Sequence, residues 1–416
     1  MLRNLQITGF KAIRDANLSF GRVNLFIGAN GAGKSTVLEA IGLLSAALVE
    51  TTDVALQRRG VRLSAPIMFK SSFKNERYLQ DIGLDGTFDG GVAYRVKLRS
   101  GAANASMVYF TEYLALDDSP VIGRSQNGIT VDRVPMPKDS VGKARGSWNA
   151  FGASIANRPV LRRELDQFEK YAIYAPQTGF LRGVETETLP TQPIGLMGDG
   201  LPSALERVVS RLNDKTNKNR ELERDILQLI WAPGWARQLT IGDFDASTVS
   251  RQVRTGQKTL YLIDKFMREG RNRLSAYDSS EGTLFLCFIV ALLLHPDAPK
   301  IFAIDNVDNA LNPRITTLLL KKIIDVSTKD VFKKNKIGPE QVFLTSHNPT
   351  SLDAFDLFNE DQRIFIVSRE TQAGTVKITR LKPNDDWTKS DWIKATKGRA
   401  LSEMWIEGHL EGALGL

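Results

Sequence analysis

Residues 5–10 alternate apolar and polar side chains with the period of a half-buried strand, and residues 23–27, apolar but for Asn24, read as a second strand running straight into a glycine. Beyond that glycine, Val37, Ile41, Leu44 and Leu48 recur at helical spacing. The pattern therefore predicts strand, glycine-rich turn and helix in direct succession. Between 67 and 116, alternating segments such as 92–98 predict antiparallel hairpins, with turns at Asp89-Gly90-Gly91 and Ser100-Gly101, and together a β-rich side lobe. Residues 117–190 lack a clear period and are rich in Gly, Ser, Pro and Asn, which predicts loops with a short helix over 160–168. Two amphipathic stripes follow. Leu201, Leu205, Val208, Val209 and Leu212 mark one helix, Leu222, Ile226, Leu229 and Ile230 another, and the pair predicts a helical insertion.

After Gly270 helix and strand alternate again: an apolar helix over 281–295, a strand over 300–305, a helix from Pro313 and a strand over 341–346. Residues 363–367 and 375–381 read as a closing hairpin, and 390–410 as helical. The two ends are thus predicted to build one α/β domain, a mixed sheet with helices formed by residues 1–65 and 271–416, with 66–270 inserted as β-lobe and helical lobe.

Composition narrows the class without naming a partner. The 416 residues are 42% hydrophobic and 25% charged, enough for a full core. A formal charge of +8 permits contact with nucleic acid but, spread over this length, does not establish it. The single cysteine, Cys287, lies in the apolar run 284–294, which excludes an intrachain disulfide and suits a reducing cytoplasm. That run is well short of the ~20 residues that span a bilayer, and the first residues lack the apolar stretch of a secretory leader, so no membrane role is expected.

The turn between the 23–27 strand and the helix is Gly28-Ala29-Asn30-Gly31-Ala32-Gly33-Lys34-Ser35, followed by Thr36, and it fits G-x-x-x-x-G-K-[ST] at every fixed position. Glycines let backbone N–H groups turn inward around a phosphate, Lys34 brings a point charge to the outer phosphate oxygens, and the Ser35 hydroxyl can reach Mg²⁺. The strand over 300–305 ends on Asp305, a carboxylate where P-loop proteins order the magnesium shell. Ser279-Ser280-Glu281-Gly282-Thr283 opens the apolar helix; Ser280 there is either a plain helix cap or, with the helix amides, part of an anion site.

Taken in order, residues 28–35, then Ser280-Glu281-Gly282-Thr283, then Ile304-Asp305-Asn306-Val307-Asp308-Asn309-Ala310-Leu311-Asn312-Pro313, then Thr345-Ser346-His347-Asn348-Pro349 resemble the ABC-type ATPase heads of the SMC, RecF and OLD group, over roughly both ends of the chain. The resemblance implies a P-loop NTPase fold of that head type, with ATP and Mg²⁺ as cofactors. It implies a nucleotide sandwich between two copies, in which Ser280 and Gly282 reach the γ-phosphate held by the partner's loop. It also implies a homodimer or higher homo-oligomer, a γ-phosphate-sensing role for His347, and a nucleotide approach for Lys11 in the segment Phe10-Lys11-Ala12-Ile13.

One position departs from the family. Where these heads usually carry a water-polarising glutamate after the magnesium aspartate, this chain has Asn306. An amide takes no proton, and losing a general base costs about 10²–10⁴ in rate, so slow or gated hydrolysis is expected, with Asn306 orienting water or Asp308 serving as base. Gln57 and Gln80 are the candidates for the family's glutamine loop. Basic residues cluster at Arg251, Arg254, Lys258, Lys265, Arg268, Arg271 and Arg273, and at Lys329, Lys333, Lys334 and Lys336; no aromatic platform is expected to accompany them, so solvated helix and loop faces are the expectation. No sustained heptads announce the long coiled-coil arms of some relatives, and the stretch after 380 is too short for the nuclease domain of OLD proteins. The family analogy therefore points to a cytoplasmic, ATP-dependent switch or scaffold in bacterial antiviral defence acting on a separately encoded nuclease or toxin. The alternative is a RecF-like repair or recombination ATPase that clamps DNA.

Overall fold

The computed structural model describes residues 1–74, 79–100, 106–137, 139–155, 158–249, 258–370, 373–384 and 386–410. In chain order the strands are β1 (Leu2–Phe10), β2 (Ile13–Ser19), β3 (Val23–Ile27), β4 (Ile82–Phe88), β5 (Val92–Ser100), β6 (Met107–Leu116), β7 (Ser119–Ser125), β8 (Gly128–Val131), β9 (Val134–Pro135), β10 (Ile173–Tyr174), β11 (Ala236–Asp243), β12 (Lys258–Asp264), β13 (Arg273–Ser275), β14 (Ile301–Ile304), β15 (Gln341–Ser346), β16 (Gln362–Arg369) and β17 (Val376–Leu381). The α-helices are α1 (Lys34–Val49), α2 (Asp53–Gln57), α3 (Ser147–Phe151), α4 (Pro159–Phe168), α5 (Thr178–Leu181), α6 (Leu201–Asn213), α7 (Arg220–Leu227), α8 (Glu281–Leu294), α9 (Pro313–Thr328), α10 (Asp330–Lys334), α11 (Lys389–Thr396) and α12 (Leu401–Ile406). No described helix is long and apolar enough to cross a membrane.

The chain divides into two compact units, the first comprising residues 1–173, 300–305 and 341–416. Its central sheet runs β14-β15-β3-β16-β17; the first four strands are parallel, and β17 returns antiparallel along β16. These parallel strands are apolar almost throughout, as strands buried on both faces must be. A second, antiparallel sheet runs β2-β1-β4-β5-β6-β7-β8-β9. Helix α1 shares one buried core with both sheets: Val37, Leu38 and Ile41 cluster with Leu5, Ile7, Leu84 and Tyr94 and with Phe26, Phe343 and Phe365. This explains why α1 is buried nearly all round rather than amphipathic.

The boundaries differ from those expected. The β-rich lobe is not a separate insertion, because β1 pairs with β4, Leu5 opposite Gly86, and carries the lobe's strands in one sheet with the chain's start. Residues 119–135, expected as loops, add β7 to β9 to its edge. The segment 390–410 is two helices rather than one, broken where Lys397 and Gly398 take left-handed φ values of 55° and 72°. The expected turn residue Gly101 and the basic residues Arg251 and Arg254 lie outside the described residues.

The second unit comprises residues 174–299 and 306–340. In it the predicted stripes hold: Leu201, Leu205, Val208 and Leu212 of α6 and Ile226 of α7 are buried. All of α8 after its first residue is buried, including Cys287, whose thiol burial pushes up to about 12, an inert core group. Helix α9 starts as its sequence suggests, with the Asn312 side chain accepting the Ile315 N–H at 2.9 Å and Pro313 in the first turn. The antiparallel sheet β11-β12-β13 was not expected. It occupies the stretch that drew notice only for its basic residues.

Candidate nucleotide site

In the first unit, three parallel strands end side by side. Ile304 of β14 lies opposite Leu344 of β15, and Ser346 of β15 opposite Ile27 of β3. Asp305, Gly28 and His347 each follow directly, so the register alone brings them to the carboxyl edge of one sheet, where open α/β sheets bind ligands. Gly28 cannot be replaced there: a Cβ would sit 2.0 Å from the Val367 carbonyl oxygen of the neighbouring strand. Gly33 has φ 108° and starts α1 without a side-chain cap, and the first turn carries no acidic residue. The sixteen-residue helix thus starts at the loop with no side-chain cap from its N-cap residue. Ala29, Asn30 and Gly31 are exposed at the rim, Ala32 is buried beneath them, and Ser35 and Thr36 are half-buried.

Lys34 is 7% exposed, and its ammonium donates to the carbonyls of Gly28 at 2.8 Å and Ala29 at 3.0 Å. The Ser35 hydroxyl lies 3.0 and 2.9 Å from the two oxygens of Asp305, and Thr345 Oγ1 donates to Oδ1 of the same carboxylate at 2.5 Å. Ser35 and Asp305, picked out 270 positions apart, therefore share one point. Thr345, in the sequence only the first residue of the segment 345–349, was given no role there; its signal is a hydroxyl near the end of a largely apolar strand that neighbours the aspartate's own. His347 is exposed, at a strand end locked by Ser346, whose hydroxyl accepts the Asn348 N–H at 3.0 Å and meets Ser351 at 2.7 Å. Beneath the site lies Tyr171, whose hydroxyl donates to the Leu38 carbonyl at 3.1 Å; burial, then the charges of Asp305 and Glu39, raise its pKa well above the ordinary phenol range.

Lys11 is engaged by a carboxylate of α1. Its backbone is left-handed, φ 49°, and its ammonium pairs with Glu39 at 2.6 Å, 5.0 Å from the centre of the Phe69 ring. Glu39, 4% exposed, also accepts the Arg62 N–H at 3.2 Å. Lys11 is thus held to α1 one turn past Ser35, through an acid that stands out in the sequence only as a lone carboxylate inside an apolar helix. Gln57 ends α2 half-buried, and Gln80 lies on the open face of the antiparallel sheet beside Thr8, Asp85 and Lys97.

In the second unit, Ser280 takes the N-cap place of α8, yet its hydroxyl is exposed and makes no capping bond, unlike a plain cap. Its neighbours are engaged: Glu281 accepts the Thr178 hydroxyl, and Thr283 Oγ1 accepts the Trp235 indole N–H at 2.9 Å. Gly282 is buried, and a Cβ would lie 2.7 Å from the Ala310 carbonyl, so it makes room for the turn that follows Asn306. Asn306 is exposed, with φ 56°, and its carbonyl accepts the Asn309 N–H at 3.0 Å; Asp308 is 7% exposed.

Two family models match this chain: "AAA ATPase domain" over residues 1–89, and "AAA domain, putative AbiEii toxin, Type IV TA system" over residues 156–353. The chain carries AAA-family ATPase domains. The first matched segment holds the 28–35 loop and the second holds Asp305, so the motif pair that meets in the structure is divided between them. No curated protein matches the sequence. Solved structures similar to it are an SMC head domain from Thermotoga maritima (15% identity, TM-score 0.46, 92% of this chain and 99% of that one), an SMC head bound to the C-terminal winged-helix domain of ScpA (13%, 0.49, 95% and 99%), and an SMC head with an extended coiled coil bound to the C-terminal domain of ScpA, derived from Pyrococcus furiosus (14%, 0.45, 95% and 98%).

Proposed function

We propose that this AAA-type ATPase binds ATP with Mg²⁺ at the 28–35 loop and uses the bound nucleotide to hold copies of itself together, as the switch of a bacterial defence or toxin–antitoxin system that controls a separately encoded nuclease or toxin. The observation that carries the nucleotide reading is the meeting of Ser35 with both oxygens of Asp305 beside an uncapped helix start. That donor set suits a hard divalent cation, which takes few protein oxygens and keeps the rest of its shell for phosphate and water. The glycine at 28, where no Cβ fits, suits a backbone that closes on phosphate. Lys34, now on two loop carbonyls, has a short path to phosphate oxygens, and its charge is the one the loop can bring to bear.

When bound, Mg²⁺ supplies charge neutralisation at the outer phosphates. The chain's residues do the rest: the α1 amides and Lys34 bind, Ser35 and Asp305 orient, Thr345 holds the Asp305 carboxylate in place, and His347 stands at the same sheet edge as sensor. Turnover is slow, because Asn306 offers no proton acceptor at the position after Asp305. The exposed, uncapped Ser280 hydroxyl supports the pairing step, in which it meets the nucleotide of a second copy. The description of the model matching 156–353, an AAA domain tied to a toxin system, supports the defence context.

Sedimentation of the wild type with Mg²⁺ and ATP tests this. A shift to dimer or larger is expected, with Lys34→Ala losing both nucleotide binding and the shift, and Ser280→Arg keeping nucleotide binding while staying monomeric. A mass indifferent to nucleotide overturns the switch reading, and Lys34→Ala binding ATP at wild-type affinity overturns the site.

A further inference from the structure

The β12–β13 hairpin of the second unit ends in a tip over residues 265–272 that carries Lys265, Phe266, Met267, Arg268, Glu269, Gly270, Arg271 and Asn272. Phe266 is 78% exposed, the highest value among the described large apolar residues, and Met267 beside it is 45% exposed. This exposure is built rather than incidental. One carboxylate oxygen of Asp264 accepts the N–H groups of Phe266, at 2.7 Å, and Met267, at 3.3 Å. The base of the tip is closed by Asp264 N–H on the Asn272 carbonyl (2.8 Å), and Lys265 N–H is fixed on the Trp235 carbonyl (3.0 Å). Gly270, φ 81°, makes the turn. A rigid frame thus presents an aromatic ring to solvent, with the Lys265 ammonium 5.0 Å from its centre.

Several of the clustered basic residues are neutralised in place. Lys258 is paired with Glu206, Arg273 with Asp245, Lys329 with Asp325 and Lys333 with Asp330. Lys265, Arg268 and Arg271 form no ion pair among the described residues, and Glu269 is the one acid on the tip. An exposed aromatic ring therefore stands among these cations, at the tip of a hairpin that periodicity did not reveal.

We propose that this tip docks single-stranded nucleic acid, with Lys265, Arg268 and Arg271 meeting phosphates and the Phe266 ring stacking on an unpaired base. Stacking on an aromatic ring tolerates any base and needs one that is free of its duplex, which is why a lone exposed phenylalanine among cations fits a single strand rather than a double helix. A lipid surface fits less well, since Phe266 and Met267 are only two apolar residues, with a glutamate two positions further on, where an interfacial element presents a continuous apolar face.

Anisotropy of a labelled oligothymidylate of about 20 nucleotides, titrated with the full-length chain from about 50 to 200 mM salt, tests the proposal. Three phosphate contacts on a single strand give a log–log salt slope near −2. Phe266→Ala is expected to weaken binding roughly 10- to 100-fold and Phe266→Trp to preserve it. Arg268→Glu with Arg271→Glu is expected to abolish it, with melting temperatures unchanged because these side chains are exposed. Wild-type binding absent at about 50 mM salt, affinity unaltered in Phe266→Ala, tighter binding to a duplex of the same length, or Phe266-dependent binding to phosphatidylserine vesicles without oligonucleotide binding would each overturn it. The nucleotide-site variant Lys34→Ala keeps an intact tip, so its retention of oligonucleotide binding separates this proposal from the ATP reading.

Discussion

Replacing Asn306 by glutamate puts two physical effects in opposition. The residue sits at φ 56°, in the left-handed region that costs an ordinary L-residue about 1–2 kcal/mol and that asparagine tolerates better than most. Glutamate lacks that tolerance, so Asn306→Glu is expected to lose about 1 kcal/mol of stability, a fall in melting temperature of at most about 2–4 °C. Against this, a carboxylate next to Asp305 supplies the missing proton acceptor, worth about 10²–10⁴ in rate. Strain of that size offsets only about fivefold, at 1.36 kcal/mol per decade. A net rise of at least tenfold in single-turnover ATP hydrolysis is therefore expected, accompanied by a lower melting temperature. Asn306→Gly is the control: glycine relieves the backbone and adds no base, so melting rises while hydrolysis does not. Two results refute the reasoning. If Asn306→Glu hydrolyses at the wild-type rate, the attacking water is not polarised from position 306; if it melts no lower than wild type, the left-handed turn imposes no selection on that side chain.

Three further outcomes follow from the same geometry. Thr345→Val removes a hydroxyl donated to Asp305 and is expected to weaken Mg²⁺-dependent nucleotide affinity roughly tenfold or more while leaving Mg²⁺-free affinity alone; equal losses by calorimetry in both conditions would place Thr345 in the fold rather than the metal shell. Gly28→Ala drives a Cβ to 2.0 Å from a strand carbonyl and is expected to destabilise the first unit by about 3 kcal/mol, read by denaturant unfolding, with a wild-type midpoint counting against the contact. Glu112, 2% exposed, has its pKa raised, chiefly by burial and against the Ser147 and Tyr94 hydrogen bonds. The folded protein then holds a proton that the unfolded chain releases near the ordinary carboxyl value, so this group's contribution falls as pH rises above about 4.5. Glu112→Gln is expected to flatten that decline, gaining more in melting temperature at pH 8 than at pH 5, and an equal gain at both would remove Glu112 as its source.

The loop 28–35 was legible because everything it needs is local: eight consecutive residues, a strand before and a helix after. Asp305 was legible for a related reason, an apolar strand ending on an acid. What joins them, the β14-β15-β3 register, is set by pairings across some 300 residues that no short window contains, so Thr345 was given no role although it touches the same carboxylate. The pairing of Lys11 with Glu39 depends on a contact between the turn after β1 and α1, which no short window contains. The antiparallel sheet was half seen. Its hairpins from β4 to β6 carry clean alternation, whereas β2 buries few of its residues and its membership comes from pairing with β1, Ile7 opposite Ala16. The left-handed turn at Asn306 left no periodic trace at all; the sequence offered only an asparagine where the family has an acid.

The far end of α1 is tied down as firmly as its start is open. The Ala47 carbonyl accepts two phenol hydroxyls at once, Tyr94 from β5 at 2.7 Å and Tyr109 from β6 at 2.6 Å. Sixteen helical residues make a rod about 24 Å long. A rod clamped at one end to a broad sheet cannot slide or fray independently of it. Two phenols of the antiparallel sheet thus anchor the same helix whose first turn carries Lys34 and Ser35, which makes them places to attach a spectroscopic reporter for events at the loop.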